Sequence, residues 1–213
     1  MRKVIIISIL ILFGIGFSCT KEKHIFRSKS TADYYPLRVG NFWEYRDNST
    51  LYEYHFKQEV VDFCLIQGGI GVYKVKYFST YTLSPDTVAQ KNEWLLYQTI
   101  VDNEVREFSD LNNPDEYEIL LRFPLEVGDS WQEPPKQMDS VWIFSMNIDS
   151  VVAIENVNAP AGIFNDCYRI RSSIWDFEFS QFEKWFKPEV GFVKYRYAFG
   201  FLEYSLINYK IIK

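Results

Sequence analysis

The stretch Tyr35-Pro36-Leu37-Arg38-Val39-Gly40-Asn41-Phe42-Trp43 returns 88 positions later as Phe123-Pro124-Leu125-Glu126-Val127-Gly128-Asp129-Ser130-Trp131. Proline, glycine and tryptophan number only 8, 10 and 6 among the 213 residues, yet all three recur at one offset. Chance would match the three at about 5 × 10⁻⁵ per starting position, so the chain reads as doubled. The correspondence continues. Val60-Val61 matches Val151-Val152, Tyr73-Lys74-Val75 matches Tyr168-Arg169-Ile170, and Glu93-Trp94 loosely matches Glu183-Lys184-Trp185. The offset drifts by a few residues, as insertions at turns would make it do. Two related units follow, residues 35–122 and 123–213. No Gly/Ser-rich linker lies near residue 122, which favours one continuous body. Pattern alone does not choose between two small sandwiches and two halves of one curved sheet.

Both units are built for strands. The chain carries 15 Tyr, 18 Phe and 6 Trp, residue types that suit a pleated, half-buried surface. Tyr52, Tyr54 and Phe56 alternate with Glu53, His55 and Lys57; Tyr73, Val75 and Tyr77 alternate with Lys74 and Lys76; Val193, Tyr195, Tyr197 and Phe199 alternate with Lys194 and Arg196. Period two with one polar side marks antiparallel strands wet on one face. Gly-, Pro- and Asn-rich breaks separate them at hairpin spacing, among them 68–71, 84–86, 102–103, 112–115, 134–135, 158–162 and 187–191. One segment, Asp86 to Gln98, also suits a helix capped by Ser84 with Pro85 in its first turn, but the alternation around its counterpart Trp185 favours strand for its second half. The expected fold is all-β, an antiparallel, hairpin-rich curved sheet or sandwich with little helix. Within the repeated motif, Pro-Leu reads as an extended lead-in, Val-Gly as a turn with positive φ at glycine, and Trp as the first inward residue of a strand. Trp43 and Trp131 are therefore core positions before they are sugar-stacking platforms.

The N-terminus reads as a targeting segment. Arg2 and Lys3 precede an apolar run from Val4 to Phe17, broken only by Ser8. As a helix those 14 residues span about 21 Å, short of the roughly 30 Å hydrocarbon core, so a signal peptide (1–18) is favoured over a transmembrane anchor. Ser18-Cys19 fits a lipobox in which Cys19 is acylated and becomes the mature N-terminus. Gly16 stands where such boxes usually carry Leu. Multiple acyl chains give stable anchoring where one is marginal. Residues 19–34, polar and charged apart from Ile25, Phe26 and the last few, read as a flexible tether; Lys21-Glu22 is a weak echo of surface-export signals. Loss of Arg2 and Lys3 takes the formal net charge from −5 to −7, which disfavours a nucleic-acid partner.

The run Pro36 to Tyr45, the turn Ala159-Pro160-Ala161-Gly162-Ile163-Phe164 with Cys167 and Ile170 behind it, and Trp185 to Lys194 with Pro188 and Gly191 together resemble bacterial envelope lipoproteins of the Bacteroides type, with P-L-x-x-G-x-x-W and P-A-G-x-F motifs. The resemblance spans most of the mature chain. It implies an all-β exported fold; with an acylated Cys19, the expected place is the cell envelope, lipid-anchored (outer membrane, periplasmic or surface-facing), and the sequence does not choose the membrane or leaflet. These are turn and core signatures, so no chemistry comes with them.

Catalytic and metal candidates are few. The two histidines are His24, in the tether, and His55, outward between Glu53 and Lys57, which supply poorly a zinc site or a His-based triad. Asp110-Leu111-Asn112-Asn113-Pro114-Asp115-Glu116 spaces oxygen ligands temptingly, but Pro114 holds the fifth position of a calcium loop and no glycine the sixth, so a polar turn is expected. Asp176 and Glu178 share a strand face, where solvated charges are commoner than an acid/base pair. No phosphate-cradling glycine loop or nucleophile elbow occurs. No catalytic residue, metal site or cofactor is assigned. With Cys19 acylated, Cys64 and Cys167 remain as a candidate disulfide or as two buried thiols.

Three functional classes fit. The preferred one is a non-catalytic, lipid-anchored binding or interaction module whose partner is protein, glycan or lipid. The second is a carrier or sensor of an apolar ligand inside a curved sheet, suggested by the stripes Trp142-Phe144-Met146-Ile148 and Trp175-Phe177-Phe179. The third is glycan binding by exposed aromatics, or glycan processing by a carboxylate pair.

Overall fold

The computed structural model describes residues 31–47, 53–66, 69–82, 89–113, 116–132, 136–138, 141–143, 147–174, 177–197 and 202–212. One helical turn, α1 (Thr31–Tyr34), precedes β1 (Phe42–Asp47), β2 (Glu53–Leu65), β3 (Gly71–Thr82), β4 (Gln90–Val101), β5 (Glu104–Phe108), β6 (Glu118–Arg122), β7 (Ser130–Gln132), β8 (Lys136–Met138), β9 (Val141–Ile143), β10 (Asn147–Ala159), β11 (Gly162–Ile174), β12 (Phe177–Lys187), β13 (Gly191–Arg196) and β14 (Glu203–Lys210). Twelve of the strands form one antiparallel sheet in the order β6-β5-β4-β3-β2-β1-β14-β13-β12-β11-β10-β7; β8 and β9 pair separately. The all-β expectation holds, as a single curved sheet. Gln90–Val101 is strand, so the helical alternative for that segment fails where it is described. It pairs along its length with β3, Tyr77 opposite Trp94 and Val75 opposite Leu96, and that ladder outweighs local helix propensity.

The two matching motifs form turns with the same hydrogen bonds. Gly40 N donates to Val60 O at 2.8 Å, Asn41 N to Arg38 O at 3.0 Å, and Val60 N to Asn41 O at 2.9 Å. In the second motif Gly128 N donates to Val151 O at 2.9 Å, Asp129 N to Glu126 O at 3.0 Å, and Val151 N to Asp129 O at 2.9 Å. Both glycines sit at positive φ, +91° and +102°, as the Val-Gly pattern requires. Each turn is followed by a buried tryptophan whose indole N–H finds a backbone carbonyl: Trp43 that of Val190, Trp131 that of Ile119. A bulge follows Val60 in β2 and Val151 in β10.

A twisted sheet of twelve strands curls. Here its two ends meet. Trp131, on edge strand β7, donates across the seam to Ile119 O on the opposite edge strand, β6, at 3.1 Å. Leu120 is the extra residue of a bulge in β6, and its carbonyl accepts from Lys184 Nζ of β12 at 3.1 Å. Edge carbonyls that would otherwise template another chain are thereby occupied.

The outer side is covered in part by the chain itself. Past Val151, two bulges bend the β10–β11 hairpin so that its tip lies against β14, with Ala161 N donating to Leu206 O at 3.0 Å. Its Val157, Phe164 and Cys167 join Trp185, Val193 and Leu206 in the core cluster. This placement bears on the cysteines. Cys167 is buried with its thiol on Phe164 O, Cys64 lies near the end of β2, and four strands (β1, β14, β13 and β12) separate β2 from β11 in the sheet. Both thiols are free, and the candidate Cys64–Cys167 bridge is not formed. The expected tether also ends earlier than residue 34, because α1 is docked: Glu189 N donates to Tyr34 O, and Thr31 Oγ1 bonds Asn103 Oδ1.

Two stability predictions follow from these contacts. Gly191 has φ +106°, and a Cβ there would stand 2.8 Å from Trp43 Nε1. Gly191→Ala should lower the unfolding free energy by about 2–3 kcal/mol in urea titration. Trp131→Phe removes the seam hydrogen bond and should cost about 1–2 kcal/mol, with amide hydrogen exchange rising first in β6 and β5.

Candidate functional site

Inward-facing residues of the curled sheet enclose a cavity of about 590 Å³. Its walls follow from strand alternation. Tyr54, Phe56 and Gln58 point in from β2, Tyr77 from β3, Trp94 and Gln98 from β4, Phe182 and Lys184 from β12, Tyr195 and Tyr197 from β13 and the loop after it, and Tyr204 from β14. Tyr35, just after α1, closes one end. It stacks on Phe186 (6.1 Å between centroids) and meets Phe192 edge-on (6.2 Å). At the other end of the strands stand the exposed Trp94, Tyr197 and Glu118, so the mouth lies there.

The lining divides into an aromatic wall and a polar wall. On the aromatic side Tyr45 stacks on Phe56 at 4.4 Å, Tyr204 meets Tyr54 and Phe56 edge-on, and Phe182 packs on Tyr195 and Tyr197. Burial raises the phenols of Tyr35, Tyr45, Tyr77 and Tyr195 well above their ordinary value, so these remain neutral hydroxyls. On the polar side, Tyr35 OH donates to Gln98 Oε1 at 3.2 Å, and Gln98 Nε2 donates to Glu107 Oε2 at 2.7 Å. Tyr77 OH donates to the same carboxylate oxygen at 2.7 Å. Nearby, Lys184 Nζ pairs with Asp149 Oδ2 at 2.8 Å, and Ser172 Oγ donates to the other oxygen of Asp149. Lys184 and Asp149 are paired and hydrogen-bonded, as buried charges must be. Burial pushes the Glu107 carboxyl above the usual range, and Glu118 adds to this; hydrogen bonds from Gln98 and Tyr77 and the charge of Lys184 offset it only in part. A second, shallower depression on the outer face is lined by His55, Lys57, Phe78 and Thr80 among others.

Of the residues singled out from sequence as site candidates, several lie outside the described ones, and of the rest only Trp131 reaches this cavity. Cys19 and His24 lie outside the described residues, as does Asp176; of Glu178, Trp142, Phe177 and Phe179 the strand positions alone are described, and Phe144, Met146 and Trp175 lie outside. His55 is half-buried on the face of β2 opposite Tyr54. Asp110 accepts from the backbone N of Asn112 at 2.9 Å in a polar turn. Among the described residues no group of three or more His, Cys, Asp or Glu side chains could hold a metal ion. Trp43 and Trp131 are buried at 4% exposure each; Trp131 touches the cavity from the seam. Reasoning from sequence missed Gln98, Glu107, Asp149 and Lys184. A faint signal existed for two of them, since Gln98 stands between Leu96 and Ile100, and Lys184 between Phe182 and Phe186, on one strand face.

In class, then, this is a curled antiparallel sheet enclosing an aromatic and polar cavity closed at one end. No family model matches the sequence, and no curated protein matches it. Among solved structures it is similar to a crystal structure of a Bacteroides fragilis protein described as exported, with a YmcC-like fold, at TM-score 0.47 and 14% identity over 83% of this chain and 98% of that one.

The Glu107 site makes a pH prediction. Because its folded pKa exceeds the unfolded one, the native state binds the extra proton between the two values, and stability falls as pH rises through that window. Glu107→Gln keeps an acceptor for Gln98 and Tyr77 without the charge. Its stability relative to wild type should grow as pH rises from the ordinary carboxylate range, measured by urea unfolding at a series of pH values.

Proposed function

We propose that this chain is a non-catalytic binding protein of the cell envelope, exported by the Val4–Phe17 signal and held by acyl groups on Cys19, with its ligand in the interior cavity. The observation that carries the reading is the cavity itself: about 590 Å³, within the range of small-molecule sites. Its lining favours an amphipathic ligand over a purely apolar one. Rings of Phe56, Phe182, Tyr195 and Tyr204 offer apolar area, while Gln98, Glu107, Asp149 and Lys184 on the other wall would be left desolvated by a hydrocarbon. A glycan is the second reading, favoured by Trp94, which stacks on Tyr77 (5.4 Å, 14°) at the mouth and is 40% exposed. The equivalent hydrogen bonds of the two turns support an origin of the chain from two related units.

The test is native mass spectrometry of the protein purified from its own envelope in mild detergent. The polypeptide should begin at an acylated Cys19, and a small molecule should be released on denaturation. Ser172→Trp, which places an indole in the cavity, should lose that molecule while melting within a few degrees of wild type. An intact, unacylated N-terminus would overturn the anchoring, and a ligand-free wild type or one whose ligand survives Ser172→Trp would overturn the cavity assignment.

A further inference from the structure

We infer that the tip of the β2–β3 hairpin is a membrane-docking surface, which seats the closed end of the sheet on an anionic phospholipid bilayer. The tip is apolar and uncovered: Leu65 is 67% exposed, and Val61, Phe63 and Ile70 are 39–45% exposed. Val39 joins them, because its neighbour Gly40 is hydrogen-bonded to Val60. Isolated exposed aliphatics are ordinary; five on one hairpin end and its adjoining turn are a surface with a use. The corresponding hairpin, β10–β11, bends at two bulges and buries its Val157 and Phe164 on the outside of its own half of the sheet. β2–β3 has a single bulge, and its end stays open.

The covering surface is identified by where the rest of the chain lies. The described body begins at Thr31, whose hydroxyl bonds Asn103 in the two-residue turn between β4 and β5. That turn adjoins the tip, since Thr99 Oγ1 of β4 donates to Gly71 O at the start of β3 at 2.6 Å. Residues 1–30 therefore join the body beside this patch, and they carry the apolar run Val4–Phe17 and Cys19. Between Cys19 and Thr31 stand Lys21, Lys23, Arg27 and Lys29 against the single acid Glu22, a composition that favours anionic headgroups. Apolar side chains at the surface and a basic segment of chain that enters the body at Thr31 are the two elements of interfacial membrane binding.

The experiment uses the full mature chain from residue 19 with Cys19→Ser, so that no acyl chain contributes, and flotation with vesicles of three parts phosphatidylethanolamine to one part phosphatidylglycerol. The parent should float with the vesicles. Leu65→Glu combined with Ile70→Glu should reduce the bound fraction at least tenfold at an unchanged melting temperature. Ile163→Glu, at a 74% exposed position on the other hairpin, should leave it unchanged. A parent that does not float, a double variant that floats as well as the parent, or an equal loss in Ile163→Glu would overturn the proposal. So would a concentration-dependent dimer, abolished by the double variant, in a parent that ignores vesicles, which would give the patch to a second copy.

Discussion

Everything in this molecule depends on bringing the ends of a long sheet together. Twelve twisted antiparallel strands left open would present two edges, and the fold meets that constraint by curling until β6 and β7 face each other. Among the described residues side chains bridge the seam: the indole of Trp131 on Ile119 O and the ammonium of Lys184 on Leu120 O. Lys184 also holds Asp149 and stands in the cavity wall. One lysine thus belongs both to closure and to the site, and the space exists because the seam does.

The turns that start each half carry much of the remaining order. Their glycines take positive φ, their leucines and tryptophans go to the core, and the tyrosine or phenylalanine before each proline plugs the same end: Tyr35 against Phe186 and Phe192, Phe123 against Phe186. A short motif thereby sets a turn, a strand and a closed end at once.

This explains what was legible in the sequence. Alternation in Tyr54-Phe56 and Tyr73-Val75-Tyr77 and the glycine punctuation are local, and they predicted strands, turns and inward faces. Closure is not local. Nothing in residues 118–132 announces that Trp131 reaches Ile119, and no pattern shows that the β10–β11 hairpin bends back to Leu206. The cavity was harder still, because Gln98, Glu107, Asp149 and Lys184 come from four strands and become neighbours only when the sheet is curled. The side chains of the aromatic stripes that suggested an interior ligand, around Trp142 and Trp175, lie outside the described ones apart from Ile148; among the described residues the rings of Phe56, Phe182, Tyr195 and Tyr204 line the space.

The plugging of one end by Tyr35, Phe186 and Phe192 has a consequence for traffic. Among the described residues the opening stands at the other end, beside Trp94 and Tyr197. If the cavity holds the ligand proposed above, a vessel of this form takes it in and lets it out past the same two rings, so an outgoing occupant and its replacement would compete for one threshold.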